Sequence, residues 1–472
     1  MADRIIGFLF ALGVIAIPFD AIAGIGAFGE LSGEASFYIF VPAIALHLAT
    51  LVGRWLREPL WSERLSFFAI VASGILAVIV INALFNLPVI LSASFHERSG
   101  INKLITANMV LVYGLLLAHL AAATLPTRWY DLLVKPVSIS AAFCIGFGLI
   151  EGLNRAGIAL PFYATLNGMV HAGSDSLVQS WDGSINLKLL EGWDKRLRSV
   201  SFEPPAFGNF TGYAWPWLLC GVLATTGRRR ALHGVLLAAF TLLIIASEAR
   251  TGQLLLVANI AAFVALRFIY APPNGRTNAA GVAVITTIAT GVLALGLVAL
   301  LTRASNITAG VVGGESVSDL TRLAYQVSAF GMFVDHPVNG VGVGQFAFHA
   351  IDFMPGWAYF SPEVAASMIQ PTAPWPNTYS LYARLAAETG LIGLLGWIGL
   401  WLITIVLVLR AATAHARRLG ALPVVTYPII MNCMAVLVSG ITTDTFRTPM
   451  MWIGLGAAGA TLQGLRRRAE GG

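Results

Sequence analysis

The sequence predicts an all-α integral membrane protein with about 12 transmembrane helices, and three observations carry that prediction. Of 472 residues, 57% are hydrophobic and only 11% charged, against the roughly 25% charged of a soluble domain. The mean hydropathy is +0.77. Apolar runs near the ~20 residues needed to cross a hydrocarbon core recur along the whole chain. They are solid blocks, unlike the alternating segments of about ten residues in a transmembrane barrel.

In chain order the runs cover residues 5–28, 37–51, 65–85, 104–125, 137–153, 207–224, 231–246, 252–268, 279–301, 391–409, 423–440 and 450–462. The first contains Pro18 and Asp20, read as a kink whose carboxylate finds a partner in the bundle. Arg54, Arg57 and Arg64 separate the second from the third, and Arg228 to Arg230 the sixth from the seventh. Arg410, Arg417 and Arg418 lie between the tenth and eleventh, and Arg466 to Arg468 follow the twelfth. With twelve spans these four sets share one side. Adding Arg4, Arg128, Lys135, Arg267 and Arg276, that side collects about 17 of the 29 basic residues. Basic residues concentrate on the cytoplasmic side of short loops, so both termini are expected in the cytoplasm. The net charge of +6 is thus a topology signal and calls for no nucleic-acid partner, because the arginines are spread over several turns. Nothing reads as a cleaved signal peptide. Cys144, Cys220 and Cys433 all fall inside predicted spans, which argues against a disulfide framework or a cysteine metal site.

The chain reads as a single integral membrane domain, 1–472, with two elaborated loops on the non-cytoplasmic side, 154–205 and 302–390. Loops beyond about 15 residues are uncommon unless functional. The first includes SLVQSWDGSINLKLLEGWDKRLRS, whose Trp181, Leu187, Leu190 and Trp193 fit a helix lying along the membrane interface. The second carries HPVNGVGVGQF and then PNTYSLYARLAAETGLIG.

Charged groups near a membrane are costly unless paired or functional. On the outer side, RLRSVSFEPPAFGNF, SEARTG, SDLTRLAYQ and YARLAAETG bring Arg196, Arg198, Arg250, Arg322 and Arg384 as residues that can meet above the bundle. A guanidinium is always charged and binds oxygens bidentately, so such a cluster suits a pyrophosphate. The alternative is pairing with Glu203, Glu248, Asp319 and Glu388, their neighbours in sequence. Arg250 is the strongest functional candidate, at the end of an apolar helix beside Gly252. His336 is a candidate base or phosphate contact, against a simple turn role before Pro337. Gly340, Gly342 and Gly344 follow no strand and open no βαβ unit, so a dinucleotide fingerprint is not supported. No HExxH spacing is present and no metal site is expected.

These segments resemble the bacterial O-antigen polymerase and O-antigen ligase superfamily, membrane glycosyltransferases of the GT-C class. HPVNGVGVGQF resembles the family's H-P-x-x-G-x-G-x-x-F, and YSLYARLAAETGLIG its H-S/N-x-Y-L-x-x-L-x-E-x-G-x-x-G. SEARTG is similar to its S-x-S-R-T/S-G, and RLRSVSFEPPAFGNF to an arginine-rich segment ending in E-P of the polymerase branch. The family usually carries a His nine residues before the Glu of the second motif. Here that position is Tyr379, and a one-turn shift gives Pro376.

The resemblance implies a GT-C-type bundle in the bacterial inner membrane, with a large periplasmic loop between the ninth and tenth spans. It implies transfer of a glycan from an undecaprenyl pyrophosphate-linked oligosaccharide to a sugar hydroxyl, without metal or other cofactor. Arg250 and Arg322, with Arg196 or Arg198, are then expected on the pyrophosphate. Glu388 or His336, with Glu203 in reserve, would activate the acceptor, and Asn377, Tyr379 and Arg384 would line the acceptor side. The missing His and the EPP segment favour a polymerase acting on a second lipid-linked repeat, which leaves room for a chain-length regulator. A ligase acting on lipid A core is the alternative. A secondary transporter fits less well, because transporters show internal repeats and midplane sites. A binder of lipid-linked glycans that does not transfer them is disfavoured by the retained arginines.

Overall fold

The computed structural model describes residues 2–25, 28, 31–55, 67–158, 160–173, 196–269, 317–370, 375–419 and 422–470. The order is α1 (Ala2–Ala16), α2 (Ala35–Trp55), α3 (Phe67–Ser92), a two-residue hairpin β1 (Ser94–Phe95) and β2 (Arg98–Ser99), and α4 (Gly100–Thr124). A π-helical turn at Tyr130–Val134 leads into α5 (Lys135–Arg155), followed by α6 (Tyr163–Val170), α7 (Pro204–Ala224), α8 (Gly227–Ala246) and α9 (Arg250–Ile269). After these come α10 (Val317–Asp335), α11 (Phe346–His349), a 3-10 turn at Gly356–Phe360, and α12 (Pro362–Ile369). The chain closes with α13 (Leu381–Leu419), α14 (Thr426–Ser439) and α15 (Pro449–Glu470).

The helices form one bundle. α15 lies along α4, α1 against α2 and α5, and α7 is enclosed by α8, α9 and α14. Small residues set the closest crossings. A Cβ on Gly208 would stand 2.7 Å from Gly252 N, so α7 and α9 touch backbone to backbone. At Gly114 it would stand 2.1 Å from the Trp452 ring, which locks α4 to α15. Trp217, Trp401 and Trp452 are fully buried in this core. A second, smaller core gathers Tyr325, Met332, Phe346, Val364 and Met368 from α10 to α12, forming a cap beside the helix ends.

The expectation of about 12 spans is corrected. Seven helices among the described residues are long and apolar enough to cross a membrane: Ala35–Gly53, Ile70–Ser92, Gly100–Thr124, Tyr130–Arg155, Gly227–Ala246, Arg250–Phe268 and Leu381–Arg417. The first apolar run becomes a helix of only 15 residues, because Pro18 disfavours helical backbone in the residue before it and clashes with the preceding turn. The sixth is a continuous 21-residue helix buried in the core, with Asn209, Thr211, Tyr213 and Pro216 among its apolar residues. The eleventh shortens to 14 residues, about 21 Å of helix against a ~30 Å core, and the twelfth runs into arginines. The ninth run lies outside the described residues. A large periplasmic loop between ninth and tenth spans is therefore overturned as well. The described part of that segment is the helical cap, between the sixth and seventh of the seven helices. The amphipathic stretch of the first loop also lies outside the described residues, up to residue 195.

Candidate functional site

Two glycine-bearing motifs splice together to build the floor of the site. Gly390 takes φ 61° and ψ −158°, which breaks α13 and frees carbonyls that would otherwise bond within the helix. The turn after α10 fills the gap. Val341 N–H donates to Ala387 O (2.9 Å) and Gly342 N–H to Glu388 O (3.0 Å), while Leu391 N–H donates back to Pro337 O (2.8 Å) and Ile392 N–H to Val338 O (3.4 Å). Asn82 of α3, 3% exposed, pins the seam. Its Nδ2 donates to Asn339 O (2.5 Å) and Glu388 O (3.0 Å), and its Oδ1 accepts from Val343 N–H (2.9 Å). The glycines are required by backbone geometry rather than by a nucleotide.

The first turn of α13 ties this floor to the loop between α14 and α15. Leu381 N–H donates to Gly440 O (2.8 Å) and Thr443 O (2.7 Å). Arg384 pairs with Glu388 (Nε to Oε2, 3.1 Å), donates to Asp444 O (2.8 Å), and lies 5.3 Å from the Phe446 ring centre. Asp444 Oδ2 accepts from Thr378 N–H (2.9 Å). Farther along the loop, Arg447 reaches Glu34 (3.7 Å). A cavity of about 200 Å³ opens here, lined by Arg98, Lys103, Trp375, Arg384, Glu388 and Arg447 among others.

Three of the predicted arginines gather beside it. Glu203 precedes α7 in extended conformation, without capping its own helix through its side chain. Burial raises its carboxyl above the usual range, and Arg322, Arg447 and Arg196 oppose the rise. Burial lowers Arg196, as do Arg322 and Arg250, while Glu203 and Glu248 raise it. Arg196, Arg250, Arg322 and Glu203 thus share one electrostatic neighbourhood. Arg250 reaches it because the Gly208–Gly252 contact brings the start of α9 against the start of α7, and Thr251 hydrogen-bonds Thr442 (3.1 Å). Arg322, on α10, stacks over Tyr379, 5.5 Å from the ring centre. Tyr379 has φ 52°, and burial pushes its phenol well above the ordinary range.

The other predicted residues fall elsewhere or serve the frame. Arg198 turns away, its guanidinium donating to Phe202 O (3.2 Å) and its backbone N–H to Glu151 (3.3 Å). His336 is exposed at the end of α10 and does not line the cavity. Glu388 lines it but is 4% exposed, bound to Arg384 and accepting from Phe346 N–H (3.4 Å). Asn377 lines it too, with its Oδ1 buried and without a hydrogen-bond partner among the described residues.

Sequence reading missed Arg447, Asp444, Glu34, and the group of Trp375, Arg98 and Lys103. The signal for the first two was a charged turn, TTDTFRTP, between two apolar helices. Asp20 does find partners as expected, accepting from Phe202 N–H (2.5 Å). Burial pushes its carboxyl up to about 7, with Arg447 opposing and Glu203 adding. Glu34 is pushed to about 8 by burial, with Arg447 opposing and Asp20 adding. Three carboxyls and Arg447 thus form a continuous polar group beside the arginines.

Fold and site together define a multi-pass membrane protein that holds a cationic, carboxylate-bearing site where several helices end. The sequence model of the O-antigen ligase family matches residues 218–398; the chain carries this ligase-type domain, in agreement with the resemblance drawn from its motifs. The matched stretch contains Arg250, Arg322, His336, Asn377, Tyr379, Arg384 and Glu388, and leaves Arg196, Arg198, Glu203 and Arg447 outside. Comparison with curated proteins gives no match.

Proposed function

We propose that the protein is a ligase-type glycosyltransferase that moves a glycan from undecaprenyl pyrophosphate to a hydroxyl of a lipid A core. The site would face the periplasm. The observation that carries the reading is the gathering of Arg250, Arg322 and Glu203 around Arg196. Guanidinium groups fixed where charge develops stabilise the leaving pyrophosphate, and such preorganised electrostatics usually contributes more to catalysis than any other single effect. The acceptor oxygen forms the new bond to the anomeric carbon. The bond from that carbon to the phosphate oxygen breaks, with its electron pair going to the pyrophosphate. The acceptor proton passes to Glu203. A carboxyl held above its usual range is suited to this, since a base works best with a pKa near the working pH.

The family description favours the lipid A core acceptor over the polymerase reading, in which the acceptor is a second lipid-linked repeat. Tyr379, at the position of the family histidine, lies beneath Arg322, which supports Glu203 as the base. Glu388 and Arg384 hold the floor together, and His336 takes no part. The test is reconstitution with lipid-linked repeat alone and then with lipid A core added. Transfer and release of undecaprenyl pyrophosphate only when the core is present supports a ligase. A sugar ladder from the repeat alone makes the protein a polymerase, and silence in both refutes the transfer reading.

A further inference from the structure

The cap carries an apolar stripe turned away from its own core. On α10, Ala324, Tyr325, Ser328, Ala329 and Met332 are buried, while Leu323, Val327, Phe330 and Val334 are 41%, 40%, 65% and 57% exposed. Steps of three and four residues place these four on one side of the helix. Asp335, exposed as well, follows Val334 by a single position and so lies about 100° round the helix, at the edge of the stripe. The 3-10 turn that packs on α10 exposes Trp357, Tyr359 and Phe360, and tryptophan and tyrosine are enriched where a membrane meets water.

Two sets of contacts fix how α10 lies. It runs antiparallel to the first turns of α13. Tyr325 meets Tyr379 just ahead of α13, with 6.2 Å between ring centres. Ala324 and Met332 share a core with Ala387, and past the end of α10 Val338 O accepts from Ile392 N–H (3.4 Å). Those first turns fold over the end of the spanning part of α13 instead of prolonging it, because the helix breaks at Gly390. Leu381 N–H and the Tyr382 hydroxyl donate to Gly440 O and Leu437 O at the end of α14. The Phe446 ring meets both Arg384 (5.3 Å) before the break and Trp397 (5.2 Å) after it, residues that a straight helix would set about 20 Å apart. α10 therefore lies across the end of the span. Beyond the break, Leu391, Ile392 and Leu395 are exposed on a helix long and apolar enough to cross a membrane, where lipid covers them. Val338, itself exposed and bonded to Ile392, joins the stripe of α10 to that lipid-facing side.

We propose that α10 lies in the membrane interface on the site's side of the bilayer, with Leu323, Val327, Phe330 and Val334 seated among the acyl chains of the surrounding phospholipid. Amphipathic helices lie in this plane with their apolar side sunk into the boundary between headgroups and acyl chains. Here the opposite side packs on the core of the cap. The seat fixes the depth of Arg322, which neighbours Leu323 and stacks on Tyr379, close to the level of lipid phosphates. It depends on the membrane class of the chain and not on its acting as a transferase.

The experiment attaches a thiol-reactive bimane to Phe330→Cys and, separately, to Val334→Cys, in the full chain in nanodiscs of phosphatidylethanolamine and phosphatidylglycerol. Cys144, Cys220 and Cys433 are buried, and the unsubstituted chain measures any label they take up. Leu395→Cys, on the lipid-facing side of the span, and Arg229→Cys, exposed at the start of α8, are the controls. A nitroxide carried on a lipid acyl chain near its carbonyl should quench both stripe labels to within about twofold of Leu395→Cys, as for a face seated roughly 5–10 Å into the interface. Aqueous iodide should quench them less than it quenches Arg229→Cys. Iodide quenching of both labels as strong as at Arg229→Cys overturns the seating. Shielding from both quenchers overturns it too and gives the stripe to protein, a second copy if nanodiscs holding one chain restore access. Loss of nitroxide quenching on addition of undecaprenyl phosphate also overturns it, and would make the stripe a track for the chain of a lipid-linked donor. Phe330 and Val334 are both exposed, so either variant tests the seating if the other does not fold.

Discussion

Gly340 lies directly against the backbone of Glu388. A Cβ placed on Gly340 would come within 2.3 Å of the Glu388 carbonyl carbon, and φ at Gly340 is 65°. The motif with the glycines and the motif with the glutamate are two halves of one joint, spliced where α13 breaks.

Gly340→Ala should therefore abolish or severely reduce folded protein. The left-handed backbone alone costs an alanine about 1–2 kcal/mol, and the clash with main chain adds to it. Gly227, with φ 57° and open space around its Cβ direction, is the control: Gly227→Ala should show only the conformational part. Thermal unfolding of both variants in detergent separates strain from clash.

Breaking the Arg384–Glu388 pair should act on stability. Both side chains are largely buried, 13% and 5% exposed, and stranding one partner of such a pair typically costs about 3–5 kcal/mol. Glu388→Ala should be less stable than the double variant R384M/E388L. A folded, normally stable Glu388→Gln enzyme whose pH profile has moved would instead make Glu388 the base.

Glu203→Gln should retain the fold and lose about 10²-fold to 10⁴-fold in transfer, the range for a general base. Because burial raises its carboxyl, the ionised base forms at higher pH than for an exposed glutamate. Activity should climb with pH past the usual carboxylate range, and that limb should be absent from the residual activity of Glu203→Gln.

Arg250→Ala should lower transfer by about 10²-fold to 10³-fold, as for loss of one preorganised oxyanion donor, with the protein still inserted. His336→Ala, at an exposed position off the cavity, should stay within about twofold of wild type. A large loss in His336→Ala would return the histidine to the site.

Asp20 and Glu34 give the fold its own pH dependence. Their folded pKa values, about 7 and about 8, lie above those of unfolded carboxyls near 4. The protonated forms are favoured by folding, so their contribution is complete below about pH 4 and is lost as pH rises through 7 to 8. Wild type should lose thermal stability between pH 5 and 8.5, and D20N/E34Q should lose less.

The membrane class, the all-α character and the motifs of the polymerase and ligase superfamily were legible in the residues, because each rests on local composition or on short spacing. Arg196, Arg250, Arg322 and Glu203 were all legible as costly charges near a membrane. The number of spans was not. Hydropathy measures apolar runs, whereas spanning also depends on where helices stop, as α1 does before Pro18, and on what they bury, as α7 does with its polar positions inside the core. Glu388 was legible both as a candidate base and as an ion-pair partner of a neighbouring arginine, and the structure shows the pair with Arg384, one helical turn before it. By itself the sequence determined the membrane class and set out part of the outer charge, Arg196, Arg250, Arg322 and Glu203. Only the tertiary structure decided which charges meet, because Arg447, Glu34, Asp20 and Glu203 come from three separate stretches of chain and are brought together by helix crossings as close as that of Gly208 with Gly252.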